Sequence, residues 1–134
     1  MTGSVEQGTS QTHGGTRILH FLVRLPVSME TVWPAVATVE GLAAWWTGPT
    51  ALEPRLGGEV VLPGPGLGEG QVTAWDVDRV AEYTLQRGGR VRFHLERDGG
   101  DGAVLRFTHE YEGEGETEPA WRARFERLVA RWES

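Results

Sequence analysis

"EPAWRARFERLVARW", Glu118 to Trp132, is the stretch that decides the fold. Trp121, Phe125, Leu128, Val129 and Trp132 fall at i, i+4, i+7, i+8 and i+11. That spacing is a single apolar stripe on a helix of about four turns. Arg122, Arg124, Glu126, Arg127 and Arg131 take the other positions, and Arg122 and Glu126 form an i,i+4 pair of opposite charge. Pro119 follows Glu118 at the favoured first helical position. A chain of this size needs such a stripe for its own core, so burial against a sheet is expected rather than a membrane surface.

The sheet is legible upstream. "RVRFHLE", Arg90 to Glu96, alternates, with Val91, Phe93 and Leu95 on one face and Arg90, Arg92, His94 and Glu96 on the other. "AVLRFTHEY", Ala103 to Tyr111, puts Leu105, Phe107 and His109 in phase. "RDGGDG" between them is a tight turn. "QVTAWDV" and "AEYTLQ" are short strands, and "ALEPRLGGEVVL", Ala51 to Leu62, is a hairpin turning at Gly57-Gly58. "PGPGLGEG", Pro63 to Gly70, reads as a loop. The first strand is "RILHFLVRLP", whose Leu19, Phe21, Val23 and Leu25 form a wholly apolar face.

Two short helices follow that strand. Ser28 is a candidate N-cap, and Met29, Val32, Trp33, Val36 and Val39 recur at helical spacing. Pro34 should bend or shorten the first helix, Gly41 should mark a joint, and Leu42 to Trp46 should be the second helix. The fold class is therefore α+β: one strand, two short helices, about six strands in an antiparallel meander, and a long C-terminal helix across the concave face of the curved sheet. Residues 1–16, rich in Gly, Ser, Thr and Gln, are expected to be a disordered tail, and residues 17–134 a single domain.

Composition removes whole classes of function. The net charge is −6, and all 13 basic residues are Arg without a basic stripe, so no nucleic-acid partner is expected. The absence of Cys removes disulfides, thiolate catalysis and Cys-based zinc sites. No apolar run spans a bilayer and the N-terminus lacks a signal pattern, so a cytoplasmic protein without membrane partners is expected. No spacing suits a metal, a phosphate loop or a nucleophile elbow, and no cofactor, metal or catalytic residue is expected.

The set "PVSMETVW", "LAAWW", "EPRLGGEV", "GQVTAWD", "AVLRFTHE" and "AWRARFERLVARW" resembles the activator-of-heat-shock-ATPase-like branch of the START/Bet v I-like (SRPBCC) superfamily. The resemblance runs from about Arg17 to the C-terminus. It departs from the family at Val77-Asp78-Arg79, which lacks the Pro-rich turn of relatives, at Ala120-Trp121 where many have Gly-Trp, and in the short loop "PGPGLGEG". It implies a helix-grip fold, with the sheet wrapped around the long C-terminal helix and a hydrophobic cavity between them. It implies a hydrophobic small-molecule ligand or, as in the eukaryotic namesakes, contact with a chaperone ATPase.

The residues expected to line that cavity are Trp46, Phe93, Leu95, Leu105, Phe107, His109, Trp121, Phe125 and Leu128. Trp45 and Trp46 stand side by side, about 100° apart on a helix, so either both pack in the core or Trp46 lines the cavity mouth. His109 is either a hydrogen-bonded core residue or a polar anchor in an apolar pocket. His20 and His94 point outward, and His13 lies in the tail. "EYEGEGETE" places Glu110, Glu112, Glu114, Glu116 and Glu118 at alternate positions, a solvated loop next to the last helix and a candidate gate. Three functions follow: a module binding a hydrophobic ligand, an enzyme of the polyketide cyclase or aromatase kind using His109 with Tyr83, Tyr111 or Thr108, and a chaperone-partner domain acting through its surface.

Overall fold

Period-2 patterning and Gly-containing turns build most of this chain into one antiparallel sheet. The computed structural model describes residues 3–6, 8–64, 67–87, 89–112 and 118–132. The elements in chain order are β1 (Ser4–Val5), β2 (Thr9–His13), β3 (Thr16–Leu25), α1 (Met29–Ala37), α2 (Val39–Ala43), β4 (Ala51–Leu52), β5 (Glu59–Leu62), β6 (Gly68–Asp76), β7 (Val80–Leu85), β8 (Arg90–Asp98), β9 (Gly102–Glu112) and α3 (Glu118–Ala130). The sheet order is β1-β3-β9-β8-β7-β6-β5-β4, with β2 also on β3. Every pair is antiparallel. The expected α+β helix-grip architecture is observed, with two short helices after the first long strand and the long helix at the C-terminus.

Register aligns the inner face. Leu19 pairs with His109 and His109 with Val91; Phe21 pairs with Phe107 and Phe107 with Phe93; Val23 pairs with Leu105 and Leu105 with Leu95. These side chains are buried, as are Trp121, Phe125, Leu128 and Val129 of α3. The outer face is polar. Glu82 is nearly buried there: burial raises its pKa, but bonds from the Thr73 hydroxyl (2.7 Å) and Arg92 (3.0 Å), with the nearby charge of Arg90, bring it below the usual carboxylate value. Arg90 also binds Glu110 at 2.6 Å.

Four expectations are corrected. Residues 1–16 are not simply a tail: β1 and β2 pair with β3, and the turn is His13-Gly14-Gly15-Thr16 with Gly14 at φ 62°. Backbone pairing along a strand edge orders this polar segment, and a Gly-Gly pair supplies the left-handed turn geometry. The segment also packs: a Cβ on Gly8 would lie 2.7 Å from the Phe21 ring, and one on Gly3 2.8 Å from Val129.

The helix joint is Thr38, not Gly41. Its hydroxyl donates to the Pro34 carbonyl at 2.7 Å and accepts from the Gly41 N–H at 2.9 Å, ending α1 and capping α2. The second helix is accordingly Val39–Ala43 rather than Leu42 to Trp46. Gly41 lies inside it because the helix packs there against the Pro34 carbonyl, where a Cβ would collide. The loop after Pro63 is shorter than expected, since β6 begins at Gly68. Arg122 binds Glu118 at 3.1 Å, one turn earlier than the expected Glu126. Glu114 and Glu116, and with them the acidic gate, lie outside the described residues. Among the described residues no helix is long and apolar enough to cross a membrane.

Candidate functional site

The space between sheet and α3 is filled by rings. Phe107, at the middle of β9, lies 4.5 Å from Trp121, 4.9 Å from Phe125 and 5.3 Å from Phe93, centroid to centroid. Trp121 and Phe125 are one helical turn apart on α3 and stack at 5.8 Å. Trp46 reaches in from beyond α2, 4.9 Å from Trp121 and 6.2 Å from Phe93. His109 closes the group 5.5 Å from Trp121 and 4.8 Å from Tyr111.

Six of the nine expected lining residues thus meet in one cluster: Trp46, Phe93, Phe107, His109, Trp121 and Phe125. Leu128 belongs to the same buried core. Leu95 and Leu105 belong to it too, paired with each other two residues beyond Phe93 and Phe107 and away from His109. Leu95 also borders an open cleft of about 460 Å³ with Met29, Glu30, Val77, Asp78, Arg79, Glu96 and Arg97, at the other end of the sheet.

The adjacent tryptophans divide. Trp45 is fully buried, stacks on Phe125 at 5.3 Å and donates its indole N–H to the Ala35 carbonyl at 2.8 Å. Trp46 is also buried, at 8% exposure, but its indole N–H has no partner among the described residues. The same holds for the Trp121 indole N–H and for both ring nitrogens of His109. His109 is therefore not a hydrogen-bonded core residue. Burial pushes its pKa from 6.5 down to about 4, so the ring is neutral at pH 7, with one N–H donor and one acceptor. Buried polar atoms are nearly always paired, and leaving one unpaired costs about 1–3 kcal/mol. Four such nitrogens on three neighbouring side chains are the chemically distinctive feature of this interface.

The polar residues expected around His109 mostly serve elsewhere. The Tyr83 hydroxyl donates to the Val36 carbonyl at 2.7 Å, and burial raises its pKa. Thr108 is on the outer face, 3.3 Å from His20. Tyr111 alone shares the inner face next to His109. His20 is exposed as expected, and His94 is half-buried, 3.7 Å from Glu96. No group of three His, Asp or Glu side chains suited to a metal occurs among the described residues. Sequence reading did not place Trp45 at the site, although its adjacency to Trp46 was the available signal.

Comparison by sequence with protein-family profiles and with curated proteins yields no match. Comparison of structures does. CalU16 from Micromonospora echinospora superposes with a TM-score of 0.70 at 19% identity, over 96% of this chain and 84% of that one. A conserved protein of unknown function from Enterococcus faecalis reaches 0.75 at 15% identity, over 96% and 78%. Aha1 from Colwellia psychrerythraea, solved as a dimer, reaches 0.67 at 19% identity, over 84% and 92%. At these identities the likeness concerns the fold alone, an antiparallel sheet wrapped around a long C-terminal helix.

Proposed function

We propose that this protein binds a hydrophobic small molecule between the sheet and α3, at the cluster of Trp46, Phe93, Phe107, His109, Trp121 and Phe125. The supporting observation is the set of unpartnered nitrogens on Trp46, Trp121 and His109 in an otherwise apolar interface. Ligand pockets have this composition: apolar and aromatic walls with a few polar groups that fix orientation. The rings touch one another in the ligand-free chain, so entry displaces some of them. Trp46 is the member nearest solvent and the one that opens the site.

Apolar contact drives binding at about 25 cal/mol per Å² buried. Native mass spectrometry of the purified protein under gentle desolvation tests the reading. A reproducible added mass that disappears on denaturation is the expected result. A bare mass, together with failure of aromatic ligands to perturb tryptophan fluorescence, counts against it.

Two other readings have narrower support. His109 and Tyr111 lie side by side on the inner face, which suits proton transfer in a polyketide cyclase or aromatase; a turnover assay on polyketide-like substrates decides it. DynU16, a putative protein in the dynemicin biosynthetic locus, shares the fold at 17% identity and a TM-score of 0.66. The Aha1 likeness and the family resemblance favour the activator-of-heat-shock-ATPase-like branch and a chaperone partner, which a binding assay against a chaperone ATPase tests.

A further inference from the structure

We infer that the ligand presents a neutral oxygen acceptor, as in an aryl ketone or quinone, to the indole N–H groups of Trp46 and Trp121 and to His109. The inference rests on the binding reading above and adds the chemical class of the ligand. The unpartnered set consists of two indole donors plus one donor and one acceptor on a neutral imidazole. Donors therefore exceed acceptors by three to one. A carbonyl oxygen has two lone pairs and no hydrogen, which suits a donor-rich site. A donor group would meet only the one free nitrogen of His109.

The rings set the rest of the ligand. The surrounding walls are Phe93, Phe107 and Phe125, which favour a flat, apolar skeleton attached to that oxygen. A neutral oxygen fits better than a carboxylate. The desolvation that keeps His109 uncharged applies equally to an anion, and the rings around it, Phe107, Tyr111 and Trp121, bring no positive charge. Arg124 lies over the Trp121 ring at 5.5 Å, as a cation–π contact on a half-buried side chain.

The test compares 1-tetralone with tetralin, which share a carbon skeleton and differ by the ketone oxygen. Both are titrated into the ¹⁵N-labelled full chain, following the indole N–H signals assigned with Trp46→Phe and Trp121→Phe. The expected result is about tenfold tighter binding of the ketone, the size of one net hydrogen bond, with downfield shifts of the Trp46 and Trp121 signals. Trp121→Phe, which keeps an aromatic ring at this wall but has no indole N–H, should abolish most of that preference, read as the ratio of ketone to tetralin affinity within the variant.

Equal affinities in the wild type, or an undiminished ketone preference in Trp121→Phe, overturn the oxygen site while leaving the hydrophobic site standing. Binding of neither compound overturns both. Tighter binding of 1-naphthoate than of the ketone overturns the neutral-acceptor class in favour of an anion.

Discussion

Replacing His109 by Leu should remove a pH dependence that the wild-type fold carries. His109 is neutral in the fold because burial pushes its pKa from 6.5 to about 4. The unfolded chain protonates it near 6.5, so between pH 6.5 and 4 the unfolded state binds more protons. Stability from this group is therefore full above pH 6.5, falls as the pH drops through that window, and falls no further below about 4. At ~1.4 kcal/mol per pH unit, the full loss is about 3 kcal/mol. The ring neighbours Phe107, Tyr111 and Trp121 carry no charge that would offset it.

Many carboxylates titrate in the same range, so the useful quantity is the difference between His109→Leu and wild type. Urea unfolding at pH 7.5, 6.0, 5.0 and 4.2 supplies it. The variant should gain relative stability on acidification, approaching about 3 kcal/mol at the lowest pH. A difference that stays constant with pH would refute the reasoning, because it would mean that His109 is solvated or charge-paired in the native state.

Other substitutions separate satisfied from unsatisfied groups. Trp45→Phe and Trp121→Phe both replace a fully buried indole by a smaller ring, and Trp45→Phe in addition strands the Ala35 carbonyl, so it should cost about 1–3 kcal/mol more than Trp121→Phe; denaturant midpoints compare them. Gly41→Ala drives a Cβ into the Pro34 carbonyl and lies 2.7 Å from the Ala35 Cα, so the α1–α2 joint must shift, at about 2 kcal/mol or more in the same assay. Phe107→Ala should cost about 3–5 kcal/mol and also weaken binding of any ligand; unfolding with unchanged ligand affinity would make Phe107 core alone. Gly8→Val presses on the Phe21 ring and should detach the N-terminal strands, read as faster amide exchange in residues 9–13 and 16–20.

Sequence periodicity carried the architecture because each element buries one face. Phe93, Phe107 and Phe125 were assigned inward by period alone, and they meet. Period says nothing about segments that fold without burying side chains. The strand Thr9–His13 is exposed at every position and held by backbone bonds to β3, so its polar composition read as disorder. The Gly14-Gly15 turn was its one visible signal. The joint at Thr38 was missed for a similar reason. One threonine hydroxyl both ends α1 and caps α2, while Gly41 is small for packing rather than for a bend. At the site, strand phase identified His109, but no sequence rule states whether an inward histidine finds a partner.

The two faces of the sheet treat buried polar groups differently, although Arg90 Nε on the outer face also lacks a partner among the described residues. On the outer face, Glu82 is nearly buried and yet fully engaged by Thr73 and Arg92, with Arg90 at 4.0 Å. The chain therefore satisfies a buried charge where the surroundings supply donors. On the inner face it retains four nitrogens without a partner among the described residues, on Trp46, Trp121 and His109. Each orphaned group costs about 1–3 kcal/mol, which a core selected only for stability would avoid by pairing it. Trp45, beside Trp46, shows that this fold can pair a buried indole when the role is structural. The neighbours therefore differ in what their indole N–H groups bind. Trp45 is tied to α1, and Trp46 faces Trp121 with its N–H unpartnered among the described residues, the donor on which the proposed ligand oxygen depends.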